Sequence, residues 1–381
     1  MEYRTAGESH GRALVALVTG VPAGIPLTTD DLDADLIRRQ GGYGRGGRMD
    51  IEADRALIVS GVRFGMTMGS PVAITISNRD SANWADVMSV AGERTTEAAV
   101  TAPRPGHADL AGCMRIDSAD ARDVLERASA RETAARVAAG GVAKALLATM
   151  GVAVHSWVER VGDVACGPYA PEDVDQGSVA GTDMRCPDAD ASAAMRAAVD
   201  AARIAGDSLG GVVAVAASGV VPGLGSYAER PRGLDAELAR ALVSIPAVKG
   251  VEFGDGFAVA GRRGSDVHDP IVREDGAMRR SSNHAGGLEG GMANGEWLVA
   301  RVAMKPIPTL TKPLRTVDLV TGQPREAAAE RSDTCAVPAA GVVAEAEMAL
   351  VLADAYTRMF GDTCVEDMKA ALERYKARIA R

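Results

Sequence analysis

Short runs of β-branched and aliphatic residues are interleaved with long alanine-rich stretches along this 381-residue chain. The runs at Leu14–Val18, Ala56–Gly61, Pro71–Ile76, Val152–Val158, Gly211–Ala217, Gly256–Ala260 and Leu298–Met304 predict strands, because such side chains pack well on a pleated surface. The stretches at roughly 29–39, 119–149, 188–205, 233–244, 339–359 and 363–379 predict helices. The two kinds do not alternate as they do in a doubly wound sheet, so the predicted class is α+β, with large sheets packed on central helices. No repeat or linker marks a boundary, and residues 1–381 read as one domain. Polar loops near 78–106 and 163–190, and the glycine-rich 281–296 segment, read as surface insertions or active-site loops within it.

Two helices carry more detail. Thr28-Thr29-Asp30-Asp31 offers a cap and first-turn acids, with Leu32, Leu36 and Ile37 on one face behind it. In the stretch from about Ala119 to Met150, residues 127–141 are dominated by small side chains, so another element can approach closely. Glu132 and Arg136 are spaced as an i,i+4 pair. Arg127 and Arg131 share a face with Ser129 nearby, so one end of that helix can reach a ligand.

Charge sharpens the picture. The net charge is −9, yet residues 38–48 gather Arg38, Arg39, Arg45 and Arg48 with five glycines and no acid. Glycine lets backbone approach a ligand, and the arginine fork grips carboxylate or phosphate through two parallel hydrogen bonds. A small, multiply anionic ligand is the expectation. An Arg/Gly tract can also bind nucleic acid, but 3% aromatic residues and a pI of about 5.2 supply neither stacking platforms nor a cationic field. Only six of the 42 basic residues are lysine, which gives weight to a lysine in an unusual loop.

The five cysteines, Cys113, Cys166, Cys186, Cys335 and Cys364, are scattered and never form a CxxC pair, which argues against a disulfide framework or structural zinc. The N-terminus shows no basic-then-apolar leader, and no apolar run reaches the ~18 residues of a membrane span. A cytoplasmic protein that binds neither membrane nor nucleic acid is expected.

Candidate chemistry collects in loops. His10 lies in Gly7-Glu8-Ser9-His10-Gly11-Arg12 and His107 in Arg104-Pro105-Gly106-His107-Ala108-Asp109; histidine trades protons near neutral pH. His155, His268 and His284 read as structural. Lys305-Pro306-Ile307-Pro308-Thr309 puts a scarce lysine on stiffened backbone, able to hold a phosphate or a polar ring edge. Asn283 to Gly291 could wrap a planar ligand, and Arg331-Ser332-Asp333 through Ala340 leads donors, an arginine and a carboxylate into a helix N-terminus.

These segments, with Tyr43-Gly44-Arg45-Gly46, Ala130-Arg131-Glu132-Thr133-Ala134 through Gly140, and Ala247-Val248-Lys249-Gly250-Val251-Glu252, strongly resemble the chorismate synthase family. They follow the family's order from residue 5 to about residue 360. The resemblance implies a β-α-β sandwich, a homotetramer, and conversion of 5-enolpyruvylshikimate 3-phosphate to chorismate by anti-1,4-elimination of phosphate and the C6 hydrogen. It implies a requirement for reduced FMN with no net redox change, the flavin transiently donating an electron and the C6 hydrogen leaving toward its N5. NADPH supplies the electrons in some members, and others accept flavin reduced elsewhere.

Carried over by position, His107 resembles the acid that stabilises the departing phosphate, His10 the histidine that protonates reduced flavin, and Asp333 the carboxylate that relays the N5 proton. Arg39, Arg45 and Arg48 match the basic substrate pocket, with Arg131 placed beside them, and Arg39 and Arg45 also match positions associated with NADP. Flavin-binding positions match Arg127, Ala128, Ser129, Pro246, Ala247, Gly290, Lys305, Pro306, Ile307, Pro308, Thr309 and Arg331. Pro246, Ile307 and Ala128 depart from the common residues there; proline at 246 removes an amide side chain and a backbone donor.

Overall fold

The computed structural model describes residues 1–46, 52–94, 98–274, 276–328 and 332–380. Strands β1 (Glu2–Ala6), β2 (Ala13–Thr19), β3 (Ala56–Ser60) and β4 (Val72–Ser77) form an antiparallel sheet in the order β1-β2-β4-β3. Its register shows why the pattern is legible: Leu14 pairs with Ile76, Ala16 with Ile74 and Val18 with Val72, all buried, while Val15 and Leu17 point the other way. A second antiparallel sheet contains β5 (Ala153–Val161), β6 (Val164–Ala165), β7 (Gly211–Ser218), β8 (Val248–Phe253) and β9 (Leu298–Met304), in the order β8-β9-β7-β5-β6. Its central strand β7 is buried from Val213 to Ala217 without alternation, because both faces are covered.

Apart from a short helix at Gln176–Ala180, the α-helices among the described residues are α1 (Thr29–Gln40), α2 (Asp109–Ile116), α3 (Arg122–Ala128), α4 (Thr133–Thr149), α5 (Ala189–Ala205), α6 (Leu234–Val243), α7 (Val337–Phe360) and α8 (Val365–Ile379). Helix α4 packs on the four-stranded sheet, α7 packs on the five-stranded sheet, and α4 and α7 pack on each other. The mixture of helix and antiparallel sheet is consistent with the expected α+β class. The capping box of Thr28 and Asp31 forms as expected, with Leu32 and Leu36 buried, but Ile37 is half exposed.

The small residues of α4 serve the close approach read from the sequence. A methyl group on Gly140 would lie 2.3 Å from Ala346 Cβ and 2.6 Å from its Cα, on the neighbouring helix α7. Gly140→Ala therefore has to push two central helices apart, and it is expected to cost about 1–3 kcal/mol, read as a lower urea midpoint at unchanged slope.

Three expectations are corrected. The helix over 119–149 is broken: α3 ends at Ala128, Ser129 is extended at φ −64°, ψ 143°, and a 3-10 turn at Ala130–Glu132 precedes α4. The Ser129 hydroxyl accepts from Arg131 N at 3.3 Å and meets Ser9 Oγ at 3.2 Å, the local bonding by which serine competes with a continuous helix. Gly256–Ala260 is not a strand but part of a 3-10 helix, Gly256–Gly261, entered through Gly254 and Gly256 at positive φ. Finally β1, β8 and α2, which the pattern did not predict, complete the two sheets and the loop around His107.

Candidate functional site

The arginine tract is divided by the fold. Arg38 leaves the ligand side and forms a two-pronged pair with buried Glu345, at 2.7 and 2.8 Å. Arg39, on the opposite side of the last turn of α1, is buried and donates to Asp54 at 2.7 Å. Arg131, placed by the 3-10 turn after the break at Ser129, pairs with the other oxygen of Asp54 and reaches Asn78 Oδ1 through Nε at 2.9 Å. Burial opposes ionisation of Asp54, but the two guanidinium groups outweigh it and hold the carboxyl below the ordinary range. Burial pulls Arg39 below its usual range against the attraction of Asp54, with Arg45 and Arg131 adding repulsion. Among the described residues, Arg39 Nε and Arg131 Nη2 are buried donors without a hydrogen-bond partner. Such groups cost free energy unless an acceptor arrives.

Arg45 and Asp333 are brought together from opposite ends of the chain: Arg45 Nη1 lies 2.6 Å from Asp333 Oδ2, and Gly46 N donates to Oδ1 at 2.7 Å. Gly44 and Gly46 make this possible by letting the 332–335 backbone approach closely. Gly44, at φ +89°, accepts from Thr334 N and Cys335 N, and a Cβ there would sit 2.9 Å from that of Cys335. Burial pushes the Cys335 thiol up to about 11, so it packs rather than reacts.

The two selected histidines share one design. His107 Nδ1 lies 2.5 Å from Asp109 Oδ1, and His10 Nδ1 lies 2.8 Å from Glu126 Oε1. A carboxylate accepts only, so each Nδ1 carries the proton and each Nε2 is left for the cavity. Burial works against ionised Asp109, but hydrogen bonds from His107 and Arg104 keep its carboxyl well below the usual carboxylate range. Burial likewise opposes Glu126, and the bonds from His10 outweigh it. Arg104 spans this corner, donating to Asp109 through Nε at 2.9 Å and to Thr309 Oγ1 at 3.0 Å.

Both histidines line one cavity of about 770 Å³, together with Arg39, Arg45, Arg131 and Asp333. Ala128, Ser129, Pro246 and Ala247 form another part of its wall, and Lys305, Ile307, Pro308 and Thr309 run along it. Lys305 donates to Gly106 O, and burial, with repulsion from Lys249, lowers its pKa. Pro306 is exposed within that loop and off the wall. Arg127 turns outward to Thr5 O and Gly7 O, and Gly290 sits on an exposed turn, so neither reaches the cavity. Arg48 and Arg331 lie outside the described residues. The Asn283–Gly291 loop packs on Gly254 and Trp297 and wraps no part of this cavity. Among the described residues no cluster of histidine, cysteine or acid could hold a metal ion, and no helix is long and apolar enough to cross a membrane.

A chorismate synthase profile matches residues 1–357. The chain belongs to the chorismate synthase family. It is 54% identical over 377 residues to a chorismate synthase of Rubrobacter xylanophilus, covering 99% of this chain and 97% of that one. A chorismate synthase of Symbiobacterium thermophilum is 54% identical over 391 residues, covering all of both. A crystal structure of chorismate synthase superposes with a TM-score of 0.81 at 37% identity, covering 100% of this chain and 98% of that chain. The family's members are carbon–oxygen lyases, and the mixed α+β fold agrees with the solved relative.

The residues that the chorismate synthase resemblance did not single out are the ones that aim the others. No motif points to Asp54, Glu126 or Trp84, and Arg104 and Asp109 stand out only as neighbours of His107. A histidine followed two residues later by an aspartate was a visible signal for Asp109. Glu126 and Asp54 had none, because His10 lies 116 residues from Glu126, and Arg39 and Arg131 lie 15 and 77 residues from Asp54.

Proposed function

We propose that this cavity eliminates phosphate from 5-enolpyruvylshikimate 3-phosphate to give chorismate, with reduced FMN bound beside the substrate and no net redox change. The observation that carries this reading is the company around one cavity: two histidines with Nδ1 tied to buried carboxylates, and three arginines, two of which keep a buried N–H without a hydrogen-bond partner, Arg131 Nη2 having only Glu52 at 3.9 Å. A trianion taken out of water needs several fixed donors, and Arg39, Arg45 and Arg131 supply them, with Arg48 adjoining in sequence.

FMN fits the remaining wall, where Leu125, Ile245, Met304 and Val343 give an apolar face. Ala128, Ser129, Pro246, Ala247 and the 305–309 loop would hold the flavin there, Lys305 meeting its phosphate or polar ring edge. When bound, reduced FMN supplies transient electron density that helps phosphate leave. In its doubly protonated form His107 would donate from Nε2 to the departing phosphate, His10 would present Nε2 to the reduced flavin it protonates, and the Asp333 carboxylate would relay the flavin N5 proton. Arg127 and Gly290, also carried over as flavin positions, lie outside the lining of this cavity. NADPH supplies the flavin's electrons either on this chain, at Arg39 and Arg45, or on another protein.

The same reading takes residues 1–381 as one domain with sheet, helices and sheet stacked as a β-α-β sandwich, supported by an apolar core drawn from Leu14 through Leu372. The outer face of the four-stranded sheet, exposing Val15, Leu17, Leu57 and Val59, is proposed as a contact between copies in a homotetramer. Five unbonded cysteines suit a reducing cytoplasm.

Anaerobic incubation with dithionite-reduced FMN and the phosphorylated substrate tests the reaction, following product absorbance and phosphate together. Many phosphates released per reduced flavin are expected. One flavin oxidised per substrate converted would make the protein a flavin oxidoreductase and end the proposal.

A further inference from the structure

We propose that Trp84 is a positioning residue for His10, acting as one member of a closed ring of contacts with Arg122 and Glu126. The inference rests on the reading of His10 as a reacting group. The His10 and Trp84 rings stack with centroids 4.0 Å apart and planes at 28°. The Arg122 guanidinium lies over the Trp84 ring at 4.9 Å and reaches Glu126 Oε1 at 3.1 Å. Glu126 Oε1 in turn meets His10 Nδ1, while its other oxygen accepts from His10 N at 2.8 Å.

One hydrogen bond places a ring atom but leaves the imidazole plane able to rotate about that contact. A flat partner removes the remaining freedom, and offset stacking is the geometry aromatic rings prefer. With Nδ1 held by Glu126 and the plane held by Trp84, Nε2 has one direction, into the cavity that Trp84 itself helps to line. Trp84 is fixed from outside as well, donating through Nε1 to Asp80 at 3.0 Å.

A packing role does not account for this tryptophan. It ends a 3-10 helix, Arg79–Trp84, that contains no buried residue, and it is only half-buried itself. What it covers is the catalytic candidate His10 and the pair that holds it. Misplacement of a reacting group by a fraction of an ångström is costly in rate while leaving binding little changed.

Trp84→Leu is expected to lower kcat about 10- to 100-fold with less than about threefold change in KM for the phosphorylated substrate. Its urea midpoint stays at the native value. Trp84→Phe, which keeps a ring to stack, recovers most of the rate. Fluorescence reads the contact without turnover: emission of Trp84, taken as the difference between the native protein and Trp84→Phe, changes when His10 is replaced by alanine. If Trp84→Leu turns over at the native rate while His10→Ala is impaired, or if the emission is indifferent to His10→Ala, Trp84 does not position His10 and the proposal is overturned. If His10→Ala itself turns over normally, the reading of His10 has failed, and the positioning role falls with it.

Discussion

Replacing His107 by alanine is expected to lower turnover by about 10²–10⁴-fold, the range by which a positioned acid accelerates a step, and to leave the fold unchanged. The imidazole is the group that can present a proton to a leaving phosphate: Asp109 accepts from Nδ1, which leaves Nε2 toward the cavity, and the ring donates from Nε2 in its doubly protonated form. Structure survives the loss because Asp109 remains satisfied. It still accepts from Arg104 N at 3.0 Å, from Nε at 2.9 Å and from Nη2 at 3.2 Å, so no buried charge is left unpaired. Phosphate release with anaerobic reduced FMN gives the rate, and circular dichroism with urea unfolding gives the fold. A His107→Ala enzyme running near the native rate would remove the histidine from the chemistry.

Glu345→Ala is expected to be the most destabilising of the substitutions considered, by about 3–5 kcal/mol, the cost of breaking a buried ion pair by removing one partner. Glu345 is buried on α7 and accepts from Arg38, Lys144 and Ser156, with Arg185 at 3.3 Å. Without it Arg38 and Lys144 are left to Asp35, and Arg185 loses its ion pair. Burial works against the ionised form, and Lys144, Arg38 and Arg185 outweigh it to hold the Glu345 carboxyl well below its ordinary value. The sign of the pH dependence follows. Because the folded carboxyl is depressed, its contribution is fully present above the unfolded value near 4.3 and is lost as the pH falls below it, the unfolded chain binding the proton first. Urea midpoints at pH 7 and pH 3.5 should therefore converge in Glu345→Ala relative to the native protein. A midpoint at pH 7 unchanged by the substitution would contradict the burial argument.

The glycines and arginines of residues 38–48 show how far local pattern reaches. Their presence announced an anion site in an acidic chain, and Arg39 and Arg45 do line the cavity. Pattern could not announce that Arg38 would turn to Glu345, since two side chains one residue apart on a helix point in different directions and the fold chooses which meets a ligand. The periodicity of the alanine-rich run 119–149 does not show its break at Ser129 either, where the serine's local bond with Arg131 N is joined by a contact with Ser9 from far along the chain.

What composition and periodicity could settle here were the properties set by neighbours in sequence: strand alternation in 13–19 and 72–77, the cap at Thr28, small residues along α4, and motifs specific enough to name a family. Those signals act over a few residues, where chain geometry is nearly the same in any fold. The pairing of Asp54 with two arginines, of Glu126 with His10 and of Asp333 with Arg45 was decided only by tertiary packing. Each joins residues 15 to 288 positions apart, and an unpaired buried charge is too costly for any one of them to sit there alone.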